Sequence, residues 1–104
     1  MSIQETIETY YRCWVDNHRE LARSLLADDL TFRSPEDNFD GADAFLDACW
    51  KYADKTDEIA IVHSVYGEAG GYVVLRMGDF HSGELVKVRN GLICEIYVTF
   101  NVTH

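Results

Sequence analysis

Near Thr56 the spacing of apolar residues changes from helical to alternating, and this change constrains the fold more than any other feature. "EIAIVHSVY", "GYVVLRMGDFHS", "ELVKVRN" and "LICEIYVTFNV" alternate with period two and read as four strands. Short turns at 68–71, at Ser82 and Gly83, and at Asn90 and Gly91 join them, the Asn-Gly pair being the strongest hairpin signal of the three. Upstream, Ile3, Ile7, Tyr10, Tyr11 and Trp14 recur at helical spacing behind a Ser2/Glu5 capping box, so a first helix runs to Val15 or Asp16. Asn17, with Glu20 at the box position, caps a second helix that buries Leu21, Ala22, Leu25 and Leu26 and ends near Asp28 and Asp29. "LTFRS" is a short strand stopped by Pro35, which cannot donate to a ladder. "EDNFDG" is a polar loop, and a third helix over 42–55 carries Phe45, Leu46, Cys49, Trp50, Tyr52 and Ala53 on its apolar face. Three helices followed by an antiparallel meander define an α+β domain over 1–104, with the helices covering one face of the sheet.

Alternation assigns the faces. Glu84, Val86 and Val88 share the inner face, since Lys87 and Arg89 belong in water. Leu92, Cys94, Ile96, Val98 and Phe100 form the inner row of the last strand. Arg76 prefers water, which turns Leu75 and Met77 inward, and by the same alternation Asp79 and His81 follow them.

The net charge of −9, from 18 acids against 9 Lys and Arg with no basic cluster, repels nucleic acid and anionic membranes alike. Cys13, Cys49 and Cys94 lie beside apolar residues without metal-ligand spacing and read as reduced thiols in a cytoplasmic protein. "MSIQETIE" has no signal-peptide character, and no apolar run approaches the ~18 residues of a membrane span.

"YYRCW", "LLADDLTFRSP", "FDGADAF" and "VRNGLICEIYV" in this order resemble the nuclear transport factor 2-like superfamily, in its ketosteroid isomerase and SnoaL-like polyketide cyclase branch. The likeness covers nearly the whole chain. It implies a cone-shaped curved antiparallel or mixed sheet packed by three N-terminal helices, a cystatin-like α+β barrel with a pocket at one end, and frequent homodimers. It places an oxyanion-donor tyrosine at Tyr10 and a protonated carboxylic acid at or near Glu84. At the position of the isomerase base stands Ser34, whose hydroxyl cannot hold a proton near neutral pH as a carboxylate does, and this argues against classical steroid isomerisation.

The residues themselves offer one more constellation: Asp79, His81 and Glu84 around the expected turn, a histidine between carboxylates that suits acid/base work. The alternative is a solvated hairpin tip. Asp37 and Asp40 are loop acids within reach of a pocket mouth, and either can stand in for the missing base. The candidate catalytic set is therefore Tyr10, Asp79, His81 and Glu84. The candidate pocket wall is Trp14, Phe32, Ser34, Phe45, Met77, Val86, Val98 and Phe100. No metal set, phosphate loop or nucleophile motif is present, so the expected chemistry needs no metal or cofactor. Three readings follow: a proton-transfer enzyme (isomerase, cyclase, dehydratase or hydrolase) on an apolar molecule, a binding module using the same cavity, or a domain that works through dimerisation.

Overall fold

The computed structural model describes residues 1–55 and 58–103. Helix α1, Ile3–Val15, starts as the sequence predicts. The Ser2 hydroxyl accepts from the Glu5 amide while the Glu5 carboxylate accepts from the Ser2 amide, which satisfies two donors that a helix start leaves open. Asn17 does not cap a second helix. It follows α1 in the left-handed region at φ 52°, and its side-chain oxygen accepts from Trp50 Nε1 at 2.9 Å.

Helix α2, Arg19–Ser24, ends well short of the predicted Asp28 and leaves Leu21 exposed. From Leu26 the chain is strand: β1, Leu26–Arg33, pairs in parallel with the last strand, Leu26 opposite Ile93. Leu26 and Leu30 bury completely there, and this packing overrides the helical character of "LLADDL". Asp28 and Asp29 sit in an irregularity of the pairing, exposed, each bound to an arginine: Asp28 to Arg23 at 2.6 Å and Asp29 to Arg89 at 2.7 Å. The expected polar loop holds a short strand, β2, Asn38–Asp40, antiparallel to β1. The third predicted helix is two pieces, α3 over Ala42–Cys49 and a 3-10 helix over Trp50–Lys55. The expected change of pattern at Thr56 lies outside the described residues.

Strands β3 (Ala60–Tyr66), β4 (Gly70–Met77), β5 (Phe80–Arg89) and β6 (Leu92–Thr103) form the predicted meander. The sheet order is β2-β1-β6-β5-β4-β3, with only β1 and β6 parallel. Register shifts in the β3–β4 and β5–β6 pairs bend the ladder, since a bulge adds twist and curvature. The two edges, β2 and β3, do not meet, so the sheet is a curved open wall rather than a closed barrel. Among the described residues no helix is long and apolar enough to cross a membrane.

The turn at Asn90 and Gly91, at φ 54° and 79°, has the positive values of a type I′ hairpin. The preceding hairpin differs from expectation: Gly78, at φ 61°, and Asp79 make the turn, and Met77 pairs with Phe80. A two-residue loop exchanges odd for even positions on the inner face. Val73, Leu75 and Met77 face the helices from β4, and Phe80, Ser82, Glu84 and Val86 do so from β5. The inner row of β6 also shifts, to Ile93, Ile96 and Val98, because extra residues enter at two points of its pairing. Leu92 is exposed, and Phe100 turns outward, so close over Gly83 that a Cβ there would lie 2.3 Å from its ring.

Candidate functional site

Between the helices and the concave face of the sheet lies a cavity of about 510 Å³. Helix α1 contributes Tyr10, Tyr11 and Trp14, which fall on one stripe of the helix. Phe32 of β1 stacks on Phe45 of α3, ring centroids 4.6 Å apart and planes 22° from parallel, and together they form one wall. Trp14 meets Trp50 at 4.4 Å and Phe45 at 6.3 Å, which ties that wall to α1. Cys49, Tyr52 and Ile59 continue the lining, and Leu75, Met77, Phe80 and Glu84 supply the sheet side.

Among the described residues the lining carries a single carboxyl group, that of Glu84. Tyr11 Oη donates to its Oε1 at 2.6 Å, and Ser82 Oγ donates to its Oε2 at 2.9 Å. Ser82 can do this because it lies two residues from Glu84 on the same strand face. Burial raises the Glu84 pKa above the ordinary carboxylate value, and the two hydroxyl donors oppose that rise without cancelling it. The phenols of Tyr10 and Tyr11 are pushed well above their usual range, chiefly by burial and then by the Glu84 charge. Both therefore stay protonated as hydrogen-bond donors. Cys49 is half-buried, and its thiol is raised by burial.

Of the expected catalytic residues, Tyr10 and Glu84 line the cavity and Asp79 and His81 do not. Asp79 is exposed at the hairpin tip, and His81 lies on the opposite face of the sheet, across from Arg76 and Val102. The misplaced turn accounts for both. Of the expected wall, Trp14, Phe32, Phe45 and Met77 line the cavity. Val86 and Val98 are buried in packing outside the lining, and Phe100 is on the outer face. Ser34 is absent from the lining too: its hydroxyl accepts from the Asp37 amide at 2.9 Å and donates to the Asp37 carbonyl at 3.0 Å, closing the turn after β1. Asp37 and Asp40 are exposed, and Asp40 is bound to Arg33 at 2.7 Å.

Sequence reasoning missed Tyr11 as the partner of Glu84, and missed Phe80. The Gly78-Asp79 pair between apolar residues was the signal that would have turned Phe80 inward. Nothing in the sequence singles out Tyr11 over Tyr10. Among the described residues no three His, Cys, Asp or Glu side chains converge to hold a metal ion.

Three helices on an open, curved mixed sheet is the α+β cone fold of nuclear transport factor 2-like proteins, and this chain has that fold. No family model matches the sequence, and no curated protein matches it. Solved structures do. A nuclear transport factor 2-like protein of unknown function from Cytophaga hutchinsonii aligns at TM-score 0.79 and 12% identity, over 96% of this chain and 90% of its own. IdmH of Streptomyces antibioticus, a candidate polyketide cyclase, aligns at TM-score 0.79 and 16% identity, over 97% and 92%. A candidate ketosteroid isomerase from Kribbella flavida aligns at TM-score 0.71 and 16% identity, over 92% and 75%. At these identities the likeness is one of fold.

Proposed function

We propose that the protein binds an apolar organic molecule in this cavity and that Glu84 exchanges a proton with it, in a reaction of the isomerase or cyclase type that needs no cofactor. The observation that carries this reading is the placement of one carboxyl group of raised pKa in an otherwise apolar cavity, beside phenols that remain donors. The volume lies within the range of about 300–1,000 Å³ usual for small-molecule sites. A carboxyl whose pKa is raised toward neutrality suits proton exchange, and Tyr10 or Tyr11 can stabilise negative charge as it develops on a substrate oxygen. The engagement of the Ser34 hydroxyl within its own turn supports a chemistry other than classical steroid isomerisation.

A binding module without turnover is the second reading, favoured by one observation. Asp37, Asp40, Asp79 and His81 all lie outside the lining, so among the described residues no second carboxyl or imidazole joins Glu84 there. Thermal-shift screening with neutral ring compounds, followed by product analysis, separates the two. Ligands that raise the Tm and are converted support proton transfer. Ligands that bind unchanged support the module, and a cavity that no apolar compound occupies overturns both.

We further propose that the partner is a second copy of the chain, docked through the outer face of the sheet. Tyr97, Phe100 and Val102 are exposed there beside Tyr72, Val74 and Leu85. In a chain of net charge −9, the outward residues of β4, β5 and β6 that pair across this face include one carboxylate, Glu95, which lies 3.9 Å from Lys87. Two copies can thus meet here without the repulsion that the rest of the surface would impose. Light scattering coupled to gel filtration should give twice the chain mass, and Tyr97→Asp should give the monomer. A monomeric parent protein would sink the proposal.

A further inference from the structure

Buried charges in proteins are paired, because an isolated ionised carboxylate is strongly disfavoured in an apolar medium. Glu84 departs from this rule. Its oxygens are met by the hydroxyls of Tyr11 and Ser82, and among the described residues no lysine or arginine forms an ion pair with it. Arg19, Arg23, Arg33 and Arg89 are engaged with aspartates elsewhere. Two hydroxyls donating to both oxygens is the arrangement that suits the ionised form, so the cavity holds a carboxylate prepared for a positive charge that, among the described residues, no lysine or arginine supplies.

The walls point the same way. Seven of the twelve described lining residues are aromatic, and ring faces attract a cation. The net charge of −9 adds a field that draws cations in and turns anions away. Lys51, whose Nζ lies 5.3 Å from the Tyr52 ring centroid, is not among the lining residues.

We propose that the ligand is an apolar molecule carrying a protonated amine, whose ammonium pairs with Glu84 among the aromatic side chains of the cavity. This rests on the reading that the cavity holds a small organic molecule, and it names the chemical class. The ion pair keeps Glu84 ionised, which is its proton-accepting form. Binding then depends on pH through Glu84. Among the described residues, Tyr11 and Tyr10 of α1 and Cys49 of α3 also titrate around it, and none of these three ionises near neutrality given its upward shift. Its strand neighbours, Val73 of β4 and Val98 of β6, carry no charge.

Titration calorimetry with three probes of one shape tests this: naphthylethylamine, naphthylethanol and naphthylacetate. The amine should bind at least about tenfold more tightly than the alcohol, a difference of about 1.4 kcal/mol, and the carboxylate should bind weakest. The amine's advantage should shrink as the pH falls through the titration of Glu84, with protons released on binding where the free carboxyl is protonated. Glu84→Gln should erase the advantage of the amine over the alcohol. The charge assignment is overturned if amine and alcohol bind the parent equally, or if the preference survives in Glu84→Gln, and both outcomes leave the small-molecule reading standing. If none of the three probes binds, the amine proposal and the small-molecule reading fall together.

Discussion

Replacing Gly70 with alanine is expected to lower stability by about 3 kcal/mol or more, enough to unfold much of the population. Gly70 opens β4 at φ 155° and pairs with Lys87 of β5. A Cβ there would sit 2.0 Å from the Val86 carbonyl oxygen and 2.9 Å from the Lys87 Cα. Both are backbone atoms of the neighbouring strand, so relief requires parting β4 from β5. Those two strands carry Val73, Leu75 and Val86 of the core together with Glu84 of the cavity. Gly67→Ala is the control, because a Cβ at that position meets nothing within 4 Å. Urea unfolding should show a large drop in midpoint for Gly70→Ala and a change within about 0.5 kcal/mol for Gly67→Ala. Similar midpoints for the two variants would mean that the strands separate easily here.

Glu84→Gln should lower turnover by about 100-fold or more if Glu84 moves the proton, and yet make the protein more stable at neutral pH. The pKa of Glu84 in the folded state lies above the ordinary value of 4.5. Between 4.5 and the raised value, the folded chain holds a proton that the unfolded chain has released, so stability falls as the pH rises through that window. Above it, the full cost of ionising a buried carboxyl is borne by the folded state. Glutamine is never ionised, and the Tyr11 and Ser82 hydroxyls can each donate or accept, so the amide keeps partners of the same shape. The Tm difference between the variant and the parent should therefore be positive near pH 7 and vanish below the window. A variant less stable than its parent near pH 7 would mean that the Tyr11 and Ser82 bonds outweigh desolvation. A variant that keeps full turnover would remove Glu84 from the chemistry.

The two readings of the site differ in what they ask of Glu84. Proton exchange needs its carboxyl to change state during turnover, whereas pairing with an ammonium holds it ionised. Both use the same physical fact, a carboxyl placed where water is scarce and phenols remain protonated. The likeness to a candidate polyketide cyclase and a candidate ketosteroid isomerase, each 16% identical to this chain, is one of fold.

Much of the site was legible in the sequence. Trp14, Phe32 and Phe45 lie on the inward stripes of their elements, and Glu84 follows from the alternation of β5. The errors gathered at one turn. Moving it from Ser82 and Gly83 to Gly78 and Asp79 exchanged the faces of Asp79, Phe80 and His81 together, as a shift of strand parity must. Phe100, Leu92 and Cys94 left the expected inner row for a related reason, while Ile96 and Val98 kept it, since extra residues in β6 break the alternation that a strand pattern assumes.

By itself the sequence determined the order of three helical segments and a meander, the capped start of α1, the Asn90-Gly91 hairpin and the inner row of Glu84, Val86 and Val88. Each of these depends on contacts within a few residues, where capping, positive φ and period-two alternation act locally. Only the tertiary structure decided where α2 yields to β1, where the β4–β5 hairpin turns, and that Tyr11 meets Glu84 across 73 positions of chain. Those outcomes rest on partner strands and shared burial, which no local pattern contains: Leu26 becomes strand because Ile93 lies beside it, and Glu84 gains its chemistry from the cavity that α1 closes over it.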